Sequence, residues 1–295
     1  MLIQEYFKSR EKILNAAMDE YLESKDSYPS ELHEAMRYSV FSGGKRLRPI
    51  LMFAAYEMLI GRKNIGRLSR LLPAACALEF IHTASLIHDD LPSVDNSPER
   101  RGRPTCHVKF GEATAILAGD ALITKAIEIL TEIKQSKLAL DCIKILTKAV
   151  STRGMIGGQA VDIISAKKKV NINTLRYIHL KKTGALLQSS MELACAFHDA
   201  EENTSITLSN FAVNLGLAYQ IVDDILDEVG SFEVLGKNPG EDARNQKATY
   251  PALIGLETSK KQAIKLLRDS HNLIKNMKNN DILIEFVEMI RQRLP

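Results

Sequence analysis

Residues 78–95 read LEFIHTASLIHDDLPSVD, an apolar run of helical character that ends in the acids Asp89, Asp90 and Asp95. Pro92 does not suit a helix interior, so the chain is expected to leave the helix near Leu91, loop, and bring Asp95 back toward Asp89. Residues 214–227, NLGLAYQIVDDILD, repeat the plan. There Asp223 and Asp227 stand at i and i+4 on one helix face, with Asp224 beside them. Like charges so placed repel, and apolar flanks make the repulsion worse. Bound cations would offset it. Oxygen donors without Cys or His suit magnesium, which one or two carboxylates and substrate phosphates usually hold. Two such clusters on separate helices could face one another across a cavity, each holding metal on one side of a bound diphosphate.

Outward from these clusters, helical periodicity dominates. Glu112 to Ile133, Leu138 to Val150, Leu175 to Ala196 and Leu208 to Leu226 each place apolar residues near i, i+3, i+4 spacing. No succession of alternating strands with hairpin turns is found. Breakers fall between the helical segments: Ser42-Gly43-Gly44 and Pro49 early, Ser97-Pro98 and Gly102-Arg103-Pro104 in a long loop, and the polar Lys167 to Asn173, whose three lysines read as a solvated connector. Gly230 to Lys247 is longer than most structureless loops, which favours a functional role. No composition shift marks a domain boundary, so residues 1–295 read as one domain, an all-α bundle.

With 45% apolar and 25% charged residues, the chain can bury a sizeable core. Its net charge of +3 is too small to argue for nucleic acid or an acidic membrane surface, so anion binding must come from local clusters. Cys76, Cys106, Cys142 and Cys195 form no metal-binding spacing and read as free buried thiols of a reducing compartment. The N-terminus carries charges through its apolar pattern, unlike a signal peptide. No run of about 18 uncharged apolar residues exists, so no membrane span is expected, and the cytoplasm is the expected location.

Local cation clusters are present. Gly43-Gly44-Lys45-Arg46-Leu47-Arg48-Pro49 sets three cations beside two glycines, and Arg100-Arg101-Gly102-Arg103 follows the first acidic cluster. Glycine permits close backbone approach and arginine grips phosphate oxygens in pairs. Lys181, Lys182, Lys237 and Lys247 add further candidates. Gly44-Lys45 lacks the context of a nucleotide P-loop.

Taken together, GGKRLRP (43–49), DDLPSVD with RRGRPT (89–105), KTG (182–184), QIVDDILD (220–227) and GK with K-x-T-Y (236–250) resemble the trans-isoprenyl diphosphate synthases, in that family's order. The short-chain farnesyl and geranylgeranyl diphosphate synthases are nearest in pattern. The resemblance implies long antiparallel helices around a deep central cavity, usually a homodimer, and three magnesium ions. Asp89 and Asp95, supported by Asp90, and Asp223, Asp224 and Asp227 would hold the metal against an allylic diphosphate. Arg100, Lys182 and Lys247 would bind that diphosphate, with Lys237 nearby. Lys45, Arg48, His82 and Arg101 would bind isopentenyl diphosphate, and Thr183 and Gln220 would lie near the reacting carbons. Three positions depart from the family's habit: Ser97-Pro98-Glu99 replaces an acidic pair before the arginines, Glu241 stands where lysine is frequent, and Tyr219 where phenylalanine is.

The resemblance also places the floor of the elongation pocket on the helix before Asp89. Ala84 and Ser85 lie one turn above it, with Ile81 and Phe80 next, and each turn deepens a pocket by about 5.4 Å. Alanine leaves room where an aromatic would stop growth at fifteen carbons, so a twenty-carbon geranylgeranyl product is favoured over farnesyl. A non-catalytic partner subunit would tolerate loss of an acidic motif, and both are intact. A terpene cyclase would not need the second diphosphate site that GGKRLRP and Arg101 imply.

Overall fold

The computed structural model describes residues 3–166, 168–229 and 248–295, with the backbone alone at 62–65 and 67. In chain order these form α1 (Ile3–Tyr21), α2 (Ser30–Val40), α3 (Leu47–Ile60), a 3₁₀ stretch (Arg62–Leu71), α4 (Leu72–Asp89), the ribbon strands β1 (Glu99–Arg100) and β2 (Arg103–Pro104), α5 (Cys106–Phe110), α6 (Glu112–Thr131), α7 (Ser136–Val150), α8 (Met155–Ser165), α9 (Ile172–Ile178), a π-helical turn (His179–Gly184), α10 (Ala185–His198), α11 (Glu202–Val229), α12 (Tyr250–Ile254), α13 (Leu256–Ile274) and α14 (Asp281–Arg291). The all-α expectation holds. Pro49 falls in the first turn of α3, where a missing N–H costs nothing, so it starts that helix instead of interrupting one.

Two features differ from the expectation. The ribbon β1–β2 is antiparallel, pairing Glu99 with Pro104 and Arg100 with Arg103. Its turn residues Arg101 and Gly102 have φ of 56° and 70°, the left-handed pair that a tight hairpin requires. Strands of two residues leave no alternation to read. The second difference is the π turn, which divides the helical run expected from Leu175 to Ala196.

The helices group into two compact units. The first comprises Met1–Phe53 and Asn64–Lys144; the second comprises Ala54–Lys63 and Ile145–Pro295. In the first, α4 packs along α6, while α1 and α2 also touch α4 and α2 and α5 touch α6. Helix α4 is apolar nearly all round, as an interior helix is. Phe80, fully buried, contributes about 2–3 kcal/mol by leaving water. The stretch Leu68–Asp89 is long and apolar enough to cross a membrane, with mean hydropathy 1.3, but 67% of that window is buried inside the fold. Gly119 lets α6 approach α4 where a Cβ would overlap the His88 ring. In the second unit, α11 packs on α10, α13 and the π turn, and α8 lies against the π turn.

Candidate active site

In the first unit, α4 ends at Asp89 and the chain turns back on itself. The Asp95 N–H donates to the Asp89 carbonyl at 3.0 Å, and Asn96 N–H to the Leu91 carbonyl at 3.0 Å. Asp95 therefore does return to Asp89, as Pro92 led one to expect. Asp89 is half-buried and Asp95 exposed. Asp90 differs from both: it is 3% exposed, and its carboxylate accepts from Arg100, with Nε at 3.0 and 2.8 Å from its two oxygens and Nη2 at 2.7 Å. The pair aims Arg100 along the acidic loop. Thr105 Oγ1 donates to the Ser97 carbonyl at 2.8 Å and closes the loop at its far end.

The three cations of residues 43–49 separate by burial. Lys45 is exposed, Arg48 half-buried and Arg46 buried. Gly44, at φ 116°, occupies backbone that L side chains rarely adopt, and its missing Cβ lets the Arg101 guanidinium lie close against this loop. Arg101 Nη1 donates to the Gly43 carbonyl. On α4, half-buried His82 completes the group. Burial, and then the charges of Arg48, Arg101, Arg100 and Arg46, push its imidazole well below the ordinary 6.5. His82 is thus held neutral in a strongly positive field. His88, the other histidine of α4, lies with Nε2 3.2 Å from the Ile116 carbonyl and serves helix packing.

In the second unit, the π turn carries Lys182 and Thr183. A π turn widens the helix by one residue and is frequent at functional sites. Here Gly158 of α8 allows it: a Cβ there would overlap the backbone of Lys181 and Lys182. Lys182 Nζ is 2.8 Å from Asp162 Oδ2. Thr183 Oγ1 donates to Gln220 Oε1 at 2.8 Å. Asp223 is half-buried and accepts from Arg293 Nη2 at 2.8 Å, the Arg293 guanidinium lying 5.0 Å over the Tyr219 ring. Asp224 turns inward: Oδ2 accepts from His179 Nε2 at 3.1 Å and from the Tyr250 N–H at 2.9 Å. His179 stacks on Tyr250 with ring centroids 5.6 Å apart. Asp227 is 3% exposed. Lys237, Glu241 and Lys247 lie outside the described residues.

The carboxylates fit magnesium in part by their chemistry. Among the described residues no three Asp, Glu, His or Cys side chains converge into a ready metal cage. Hard oxygen donors brought near one another by a backbone turn, as Asp89 and Asp95 are, still suit an ion that takes most of its ligands from phosphate and water. Asp90, Asp224 and Asp223 fit that role less well, since Arg100, then His179 and Tyr250, and then Arg293 already engage them.

The sequence grouped Arg46 with the phosphate-binding cations, whereas it lies buried against Glu79. Sequence reasoning missed Glu79, Asp162, His179 and Arg293. Two of them left a signal. Glu79 is the only acid between Leu72 and Ile87, and Asp162 the only charge in α8. A single acid in an apolar helix demands a buried partner. Arg293 left none.

A family model described as polyprenyl synthetase matches residues 29–290. The chain is 42% identical over 294 residues to geranylgeranyl pyrophosphate synthase 4 of Arabidopsis thaliana, covering 98% of this chain and 77% of that one. It is 43% identical over 264 residues to farnesyl diphosphate synthase of Geobacillus stearothermophilus, covering 88% and 87%. The crystal structure of a FPP/GFPP synthase from Zymomonas mobilis superposes with a TM-score of 0.84 at 31% identity, covering 98% and 99%. The chain therefore belongs to the polyprenyl synthetase family and is a prenyltransferase of the short-chain trans type.

Proposed function

We propose that this enzyme condenses isopentenyl diphosphate with an allylic diphosphate and releases mainly geranylgeranyl diphosphate. One observation carries the reading: the chain has two different anion-binding chemistries. Asp89 and Asp95 suit a diphosphate bound through metal, to which family resemblance adds Asp223 and Asp227, whereas Arg48 and Arg101 beside neutral His82, with exposed Lys45 three residues before Arg48, suit one bound directly. A reaction that ionises one diphosphate and spares the other needs that difference.

Magnesium, three ions by family resemblance, would be held by the first set and would supply positive charge to the departing diphosphate. Asp90 steadies Arg100 and Asp162 steadies Lys182, and family resemblance assigns both cations to oxygens of that diphosphate. Lys237 and Lys247 are assigned there by resemblance. Lys45, Arg48, Arg101 and His82 hold isopentenyl diphosphate. The allylic C–O bond breaks, the double bond of isopentenyl diphosphate supplies the electron pair for the new C–C bond, and a proton leaves for the released diphosphate. Thr183 and Gln220 set fixed dipoles beside the developing positive carbon.

The twenty-carbon product rests on Ala84. Both Ala84 and Phe80 are fully buried on α4, and Ile81 is 1% exposed, while Ser85 is half-buried and bonds the His82 carbonyl at 2.8 Å. By family resemblance this level faces the growing chain, where alanine takes less room than an aromatic would, with Phe80 one turn deeper. Farnesyl diphosphate is the alternative product, and relatives of both names match at similar identity. We further take the chain to act as one domain of a homodimer in the cytoplasm. The test is incubation of the purified protein with magnesium, isopentenyl diphosphate and each allylic starter, with products identified by chromatography and mass. Geranylgeranyl diphosphate is expected. A product ending at farnesyl overturns the length assignment, and no condensation from folded protein favours a non-catalytic partner subunit.

A further inference from the structure

We propose that the buried Arg46–Glu79 ion pair is a positioning device for the isopentenyl diphosphate site; the proposal rests on reading Lys45, Arg48, His82 and Arg101 as that site. Arg46 is 3% exposed and Glu79 1%. Their side chains meet at 2.8 Å between Nη1 and Oε1. Arg46 Nη2 also donates to the Val40 carbonyl at 2.6 Å, at the end of α2, and the Arg46 carbonyl accepts from Ile50 N–H at 3.1 Å, in the first turn of α3. One residue thus joins the end of α2, the start of α3 and the middle of α4.

The backbone shows why this residue and not its neighbours turns inward. Arg46 has φ of 49°, in the left-handed region that a non-glycine residue enters at a cost. That inversion drives the Arg46 side chain into the core while Lys45 stays exposed and Arg48 half-buried. Glu79 sits three residues before His82, hence one turn away on the same side of α4. Fixing Glu79 to Arg46 therefore fixes the spacing between His82 and the loop that carries Lys45 and Arg48.

Stability alone does not account for the pair. Buried Glu79 Oε2 and Arg46 Nε find no hydrogen-bond partner among the described residues. A buried pair with two unsatisfied atoms is commonly no better for stability than two apolar side chains of similar volume. What apolar side chains cannot supply is a directional link between the loop and α4.

The experiment uses the full chain and reads melting temperature and KM for isopentenyl diphosphate and for the allylic diphosphate separately. The double variant Arg46→Met/Glu79→Leu is expected to melt near the wild type. Its KM for isopentenyl diphosphate should rise about tenfold or more, since a misplacement near 1 Å suffices for such losses, with the allylic KM within about twofold. Should the double variant fail to fold, Glu79→Gln, which keeps one acceptor toward Arg46 but removes the charge, is expected to show the same split to a smaller degree, and Glu79→Leu alone the full split. An unchanged KM for isopentenyl diphosphate in a folded variant, or equal rises in both KM values, overturns the proposal. Lys45→Ala and Arg48→Ala separate it from the reading beneath. If they raise the isopentenyl KM and the pair variants do not, positioning alone fails. If neither does, the site assignment fails and the proposal with it.

Discussion

A carboxylate already committed to strong donors has less to offer a metal ion, and this divides acids that look alike in the sequence. Asp90 gives both oxygens to Arg100, and Asp224 gives one to His179 and the Tyr250 N–H. Asp89→Asn should therefore raise the magnesium concentration needed for half-maximal turnover several-fold, whereas Asp90→Asn should mainly raise KM for the allylic diphosphate by loosening Arg100. Magnesium titrations at saturating substrate check the contrast, and equal magnesium shifts would refute it. His82 gives a pH prediction of definite sign. Its imidazole is held below 6.5, so the unfolded chain takes up the proton first as pH falls. The folded state is then favoured above the ordinary value and loses that advantage as pH drops through and below it. Denaturant midpoints of wild type and His82→Gln, followed from about pH 8 to about pH 5, should show a steeper acid loss in the wild type. The acids were legible as a group because they cluster. Which of them point inward was not, because that depends on Arg100, ten residues away, and Tyr250, twenty-six residues away.

At the scale of elements, the apolar period placed α6 and α7 to within two residues and the core of α11, whose start lies six residues earlier, since long amphipathic or buried helices write their own pattern. The π turn at His179–Gly184 did not show, because it inserts one residue without ending the helical run on either side. Its determinant lies on another helix: Gly158 of α8, whose hydrogen makes room for the backbone of Lys181 and Lys182. Backbone cannot step aside as a flexible side-chain tip can. Gly158→Ala should push the turn away, cost roughly 1–3 kcal/mol as overpacking does, and misplace Lys182 and Thr183. Turnover should fall about tenfold or more, with binding of isopentenyl diphosphate little changed. A variant with wild-type melting and kcat would show that the turn does not depend on this contact. On α4 the same steric logic applies to the product. Ala84→Tyr fills the level above Phe80 and should shift the main product to fifteen carbons, read by chromatography of the extracted alcohols. An unchanged product would place the floor elsewhere.

Across the whole molecule, fold class and order of motifs were readable, while the division into two compact units was not. Its boundaries run through α3, after Phe53, through the 3₁₀ stretch, after Lys63, and through α7, after Lys144. A helix that passes from one unit to the next carries no linker composition, so no shift in residue usage marks the place. The cysteines sample both units: Cys76, Cys106 and Cys142 belong to the first and Cys195 to the second, all free and buried as the sequence suggested. Burial pushes each thiol up, Cys142 to about 12, with Glu79 adding to the effect at Cys76. Since the thiolate is the reactive form, both access and ionisation protect all four. In native buffer near neutral pH no cysteine should react with a thiol reagent in the time that an exposed thiol reacts fully. Labelling should appear only as denaturant unfolds the chain, with the modified residues identified by mass. If both units open in one cooperative step, Cys195 will label together with the other three. Stoichiometric labelling of any of the four without denaturant would contradict the packing of the helix that carries it.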